Sequence, residues 1–346
     1  SGGWAVFQEL SSCPATMEAA RAADAYGIMP GNACEQSDAT QAYTQAWLLA
    51  DGVETWVRLP RDQWPPSWRH MKDPVCPLRL ALYGHPDSGG HWERHRTEHL
   101  VSQGFHEVDN WRSCFWHPEL RLFLVVYVDD FKLSGPKEHL QKGWDLIRSG
   151  LQTDPPTPLG LYLGCKHEES VRVLPDTGRK VRVMEYNMED FLRSCVERYR
   201  ELSGAQYMRK ATTPFLHEAT SPDFSDGYAS ASEAVKAAAQ AESALLPVIY
   251  DDEAGDDGGD ESRGQLKTYA ARVLMKVLYA ARYARLDLLR AVCYLARFIT
   301  EWTSECERRL YRFMFCIHST YHARMTGWIG DSAENLAPHL SADADF

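Results

Sequence analysis

The chain has 346 residues, 44% of them hydrophobic and 25% charged, enough to bury a sizeable core as two domains or as one domain with helical additions. No apolar run reaches the length of a membrane-spanning helix, so no membrane partner is expected. Nine cysteines, odd in number and without a CxxC pair, exclude a dense secreted disulfide scaffold and point to free thiols in a reducing, intracellular compartment.

The formal charge of −11 runs against a nucleic-acid partner, because phosphate binding relies on clustered Lys and Arg. Part of that charge is local. Seven acids and no base lie between Asp251 and Glu261, and without them the formal charge is −4. The opening SGGWAVFQELSS lacks the basic-then-apolar order of a signal peptide, and both ends read as cuts from a longer protein.

Residues 14–28 place Met17, Ala20, Ala23 and Tyr26 at helical spacing, with Gly27 as a stop. Asp38 opens the string DATQAYTQA, with Tyr43 five residues on. His85, His91, His95 and His99 are scattered along a helix-like stretch and read as surface residues. Residues 120–128, LRLFLVVYV, predict a mostly buried strand; Asp129 and Asp130 follow at once, and FKLSG returns as a second strand. That is a hairpin with two carboxylates at its tip. Between 216 and 264 the chain turns Ala-, Ser-, Gly- and Asp-rich and predicts a flexible acidic linker. Beyond it, Val273, Val277, Ala281, Leu288, Leu289, Val292, Leu295 and Ile299 recur at helical steps. Ser304 and Glu307 fit a capping box for a last helix with Leu310, Phe313, Met314 and Ile317 inside.

Tyr127-Val128-Asp129-Asp130 carries the most chemistry. Phosphoryl transfer between nucleotides runs on two divalent ions about 4 Å apart, and hard cations take carboxylate oxygens. Adjacent carboxylates repel unless a cation neutralises them. Asp-Asp also serves as plain turn residues at a strand end. Asp38 at a second strand end, with an aromatic ring at +5, favours the metal reading. His318 and His322 near Cys316 have zinc-compatible spacing but no evident further ligand, and read as solvated or packing side chains. The tryptophans at 47, 56, 64, 68, 92, 111 and 116 read as stacking platforms or, more simply, as packing. Arg308, Arg309 and Arg312 read equally as a phosphate-tracking surface and as a solvated helix face.

In order along the chain these motifs resemble the reverse transcriptase of copia-type retrotransposons. Asp38-Ala-Thr-Gln-Ala-Tyr43 is similar to the family's first acidic motif, and Glu54-Thr-Trp-Val-Arg-Leu-Pro60 to the strand and proline that follow it. Cys76 to Gly84, with Trp92 beyond, resembles the ALYG segment, Tyr127 to Asp130 the YVDD motif, and Leu159 to Gly164 the primer-grip segment YFLG. Leu278 to Leu289 resembles the thumb-side helices, with Leu286 where the family has proline, and Ser341 to Phe346 the first strand of ribonuclease H.

The resemblance implies an α+β right-hand polymerase. Its parts would be a fingers remnant over 1–29, a palm over 30–170, a connection over 171–215, the linker over 216–265, a helical thumb over 266–325 and a truncated ribonuclease H strand over 326–346. Asp38, Asp129 and Asp130 would hold two Mg²⁺ ions, with Mn²⁺ as a substitute. Tyr43 would act as steric gate, Gly84 and Tyr127 would face the nucleotide, Leu163 and Gly164 the primer, and Asp343 would be the first ribonuclease H ligand. The implied activity is RNA-directed DNA synthesis from dNTPs on an RNA template with a DNA primer. The implied partner is the rest of a Pol polyprotein, with ribonuclease H and integrase, in a cytoplasmic particle or the nucleus. The expected absence of the N-terminal finger strands supports a rival expectation: an inactive retroelement fragment with at most weak nucleic-acid affinity. A nuclease built on the same acids is a third, which the aromatic at +5 and the primer-grip segment disfavour.

Overall fold

A computed structural model of the chain describes residues 13–48, 55–205, 208–215, 267–331 and 333–337. The predicted linker and Asp343 lie outside the described residues. The chain divides into two units, one of residues 1–185 with 326–346 and the other of residues 186–325. The division falls within the predicted connection over 171–215.

The first unit is a mixed α and β structure built on a six-stranded antiparallel sheet. Helix α1 (Met17–Gly27) leads into strand β1 (Asn32–Asp38). After the small pair β2 (Trp56–Val57) and β3 (Cys76–Pro77) comes helix α2 (Ser88–Ser102). Strands β4 (His106–Val108), β5 (Trp111–His117), β6 (Leu122–Tyr127) and β7 (Asp130–Pro136) form a meander, followed by helix α3 (Lys137–Arg148) and β8 (Thr157–Pro158). The sheet order is β4-β5-β6-β7-β1-β8, so the first strand is inserted between β7 and β8. A second sheet joins β9 (Leu161–Tyr162), β10 (Cys165–Val173), β11 (Lys180–Asn187) and β12 (Met325–Ile329) in the order β12-β11-β10-β9.

Alternation along the strands divides the main sheet into two faces. On one, Leu122, Leu124, Val126, Phe131 and Leu133 join Trp92 and Leu100 of α2 and Leu140, Trp144 and Ile147 of α3 in the larger core. On the other, Phe123, Val125 and Cys114 meet Ala15, Ala19 and Ala23 of the α1 segment. Small residues on α1 let it approach the sheet, and Thr16 caps it by accepting from the Ala19 N–H. Its C-terminal end is held by the Arg182 guanidinium, whose Nη1 donates to the carbonyls of Gly27, Met29 and Asn32 at 3.2, 2.9 and 2.9 Å. The histidines of the α2 region differ from the surface expectation: His91 is buried, and His99 Nε2 faces the carbonyls of Leu146 and Ile147, both at 3.0 Å. They pack because the face of α2 that they share with Trp92 and Leu100 meets α3 and the sheet.

The second unit contains α4 (Glu189–Ser203), α5 (Lys267–Tyr283), α6 (Leu289–Ala296) and α7 (Ser304–Ser319). The expected apolar stripes are inside: Val273, Val277, Ala281, Leu288, Val292 and Leu295 are buried, as are Leu310, Phe313, Met314 and Ile317. The cap of α7 lies one residue earlier than the predicted Ser304. Thr303 has the extended cap conformation and accepts from the Cys306 N–H. Leu286 opens a single 3₁₀ turn, Leu286–Leu288. None of the described helices is long and apolar enough to cross a membrane.

Candidate acidic site at the β6–β7 hairpin

Strand β6 ends at Tyr127 and β7 begins at Asp130, and these two residues pair across a two-residue turn of Val128 and Asp129. Val128 takes φ +59°. A β-branched side chain in the left-handed region is strained, by roughly 1–2 kcal/mol. The conformation is held from outside: Trp92, fully buried in the larger core, donates its indole N–H to the Val128 carbonyl at 2.8 Å, and the Asp129 carbonyl accepts from the Ala39 N–H at 2.7 Å. Val128→Gly is therefore expected to stabilise the hairpin by about 0.5–1 kcal/mol, the strain relieved less the added entropy of glycine. A higher midpoint in a thermal melt is the expected reading; an unchanged or lower one removes the strain argument.

The same register brings the third acid in. β1 pairs antiparallel with β7, and Asp38 stands directly opposite Asp130. Side chains opposite each other share a face, with Cβ atoms about 5 Å apart, and like charges there repel. Burial, then Asp38, then Asp129 push the Asp130 carboxyl up to about 7, and a hydrogen bond with Asp38 holds its proton. The three acids expected from the sequence thus belong to one electrostatic cluster. Among the described residues no group of three His, Cys, Asp or Glu side chains is arranged to hold a metal ion by itself. Magnesium seldom needs one, since it takes one or two carboxylates and completes its shell with water and substrate phosphates. A donor set of hard carboxylate oxygens, one keeping a proton for want of a countercharge, fits a divalent cation.

Past Asp38 the chain turns through Gln41 (φ +50°) into a 3₁₀ turn, Ala42–Gln45, that carries Tyr43. The Tyr43 and Tyr83 rings lie 4.5 Å apart between centroids. Burial first, with Tyr83 and Asp129 adding to it, raises the Tyr43 hydroxyl above its ordinary value. Gly84 follows Tyr83 with φ +94°, and a Cβ there would meet nothing within 4 Å. The backbone conformation, not crowding, requires glycine at this open position. Leu163 (φ +49°) and Gly164 (φ +74°) form the two-residue turn between β9 and β10, where Tyr162 pairs with Cys165. Positive φ at both turn positions matches the twist of a tight hairpin. Gln36, one step before Asp38 on the same face, ties this hairpin down: its Nε2 donates to the Leu161 carbonyl at 2.9 Å and its Oε1 accepts from the Gly160 N–H at 3.1 Å.

Sequence reasoning missed what lies beneath the acids. Lys132 is fully buried on the Asp130 face of β7, and its ammonium binds Asp24 of α1 at 2.6 Å. Its signal was present: a lysine inside an apolar strand requires a buried partner, and Asp24 is the acid among the small inward residues of α1. The weaker candidates do not assemble. Cys316 is buried while His318 and His322 are exposed, so they point apart. Arg308 and Arg309 both bind Glu305, and Arg193 binds Glu189.

The chain is thus a mixed α and β protein with three carboxylates gathered at one end of an antiparallel sheet. No family model matches it, and no curated protein matches it.

Proposed function

We propose that the first unit contains the palm of an RNA-directed DNA polymerase, and that the chain transfers deoxynucleotides to a primer 3′-hydroxyl on an RNA template. The observation that carries this reading is the register-enforced pairing of Asp38 with Asp130 beside Asp129, a concentration of negative charge that holds a proton near neutrality. Asp38 and Asp129 would hold the two magnesium ions, with Asp130 completing the cluster and Mn²⁺ as the substitute. When bound, those ions supply the acidity that activates the 3′-hydroxyl and the charge that neutralises the triphosphate. The side chains do the rest by position. Tyr43, whose ring packs on that of Tyr83, would be the steric gate that excludes a ribose 2′-hydroxyl. The open backbone at Gly84 and the half-buried Tyr127 flank the incoming nucleotide, and the Leu163–Gly164 turn grips the primer end. In this reading the helical second unit is the thumb. The chain works with the remainder of a Pol polyprotein in a cytoplasmic particle or the nucleus.

The ion pairs within α4 and α7 favour a second reading, an inactive retroelement fragment that keeps the fold, because arginines already paired with Glu189 and Glu305 offer less charge to phosphate. Primer extension on poly(rA)/oligo(dT) with Mg²⁺ or Mn²⁺ separates the two. Incorporation by the native chain that vanishes in the Asp129→Asn, Asp130→Asn double variant supports the polymerase. Silence from both leaves the inactive fragment, and nicking of supercoiled DNA without nucleotides would indicate a nuclease.

A further inference from the structure

A lysine two residues from a catalytic carboxylate on the same strand face is a hazard to a metal site. Residues 130 and 132 both point to the α1 side of the sheet, about 7 Å apart along β7, within reach of a lysine side chain. An ammonium group delivered to Asp130 would cancel part of the charge that attracts divalent cations. The structure shows what prevents this. The Lys132 ammonium turns instead toward Asp24 at 2.6 Å, with both side chains buried. The Tyr162 ring covers it, 4.0 Å from the ammonium to the ring centroid. The second Asp24 oxygen lies 3.3 Å from His167 Nε2, and His167 is fixed on its other side by the Gly160 and Cys165 carbonyls. Asp24 is thereby in contact with β10 as well as β7.

We infer that Asp24 is a positioning residue for the acidic site: it sequesters Lys132 at the buried end of the strand face and so leaves Asp38, Asp129 and Asp130 available to divalent cations. The inference rests on the metal-site reading above. It assigns Asp24 no contact with substrate or metal.

The test is Mn²⁺ binding to the full chain, followed by electron paramagnetic resonance without primer or nucleotide. Asp24→Asn, which keeps the shape but not the charge, is expected to weaken Mn²⁺ binding at least tenfold, because Lys132 then turns to Asp130. The double variant Asp24→Leu, Lys132→Met is expected to bind like the native chain, since hazard and restraint leave together. Lys132→Met alone is also expected to bind like the native chain, because its charge is already sequestered. A purely structural ion pair would not produce this pattern. Native-like Mn²⁺ binding by Asp24→Asn overturns the inference, as does a double variant as weak as a folded Asp24→Asn. Where Asp24→Asn does not fold, the double variant and Lys132→Met decide: native affinity in both supports the inference, and weakened binding in the first or a tenfold gain in the second overturns it. A native chain that takes up no Mn²⁺ defeats the metal-site reading itself and the inference with it, a result distinct from all the others.

Discussion

Asp130→Asn is expected to stabilise the fold above neutral pH while reducing the proposed nucleotidyl transfer by on the order of 10³-fold or more. Both effects come from one cause. Burial and the carboxylates of Asp38 and Asp129 hold the Asp130 carboxyl up at about 7. A carboxyl whose pKa rises on folding contributes stability that is fully present below its unfolded value, about 3.9, and is lost as pH rises through the folded value. The native chain should therefore lose stability between about pH 4 and pH 7. Asparagine does not ionise, so the variant lacks this loss. Mg²⁺ should restore stability to the native chain at pH 8 and do less for the variant, because a ligand that binds only the folded state stabilises it. Thermal melts across pH, with and without Mg²⁺, are the check. A variant that melts below the native chain at pH 8 removes the repulsion argument, and one that keeps a tenth of the activity removes Asp130 from the catalytic set.

Asp24→Ala should cost about 3–5 kcal/mol of stability, because it removes the buried counter-ion of Lys132 and a turn toward Asp130 replaces that pair only in part. Replacing both members, as Asp24→Leu with Lys132→Met, should fall within about 1 kcal/mol of the native chain or be more stable, since desolvating the pair offsets much of its attraction. Burial alone would raise the Asp24 carboxyl, but Lys132 and His167 outweigh it and hold the group below its ordinary value of 3.8. Its contribution is thus complete above that unfolded value and is lost as pH falls through the lower folded one. Urea denaturation followed by tryptophan fluorescence measures all three proteins. A single variant as stable as the double would mean that the turn of Lys132 toward Asp130 replaces the lost pair in full.

Much of the site was legible because it is written in short local patterns. The apolar run over 120–128 and the acids after it specify a hairpin by themselves, and Asp38 with Tyr43 reads as a strand end followed by a short helix, which is a single 3₁₀ turn. The Asp38–Asp130 register depends on a sheet pairing between segments about ninety residues apart, and no local pattern encodes it. Lys132 was passed over for a related reason. A buried charge makes sense only with its partner, and Asp24 lies on a different element 108 positions away. The histidines of α2 were misread because helical periodicity identifies a face without saying how much of its flank a neighbouring helix covers. The cap at Thr303 differs from Ser304 by one residue, within the ambiguity of adjacent hydroxyl side chains that suit the same role.

The insertion of β1 between β7 and β8 has a consequence for biosynthesis. A ribosome delivers α1 and β1 before the rest of this sheet, and neither edge of β1 has a partner until β7 and then β8 emerge, about a hundred residues later. The turn joining α1 to β1 waits longer, since the guanidinium that collects its three carbonyls belongs to Arg182. At roughly 5–20 residues per second, the early segment spends several seconds or more with its strand edges open. A nascent chain of this design depends on the polar positions of β1, where Asn32, Glu35, Gln36 and Asp38 interrupt the apolar surface, to stay unaggregated until its partners arrive.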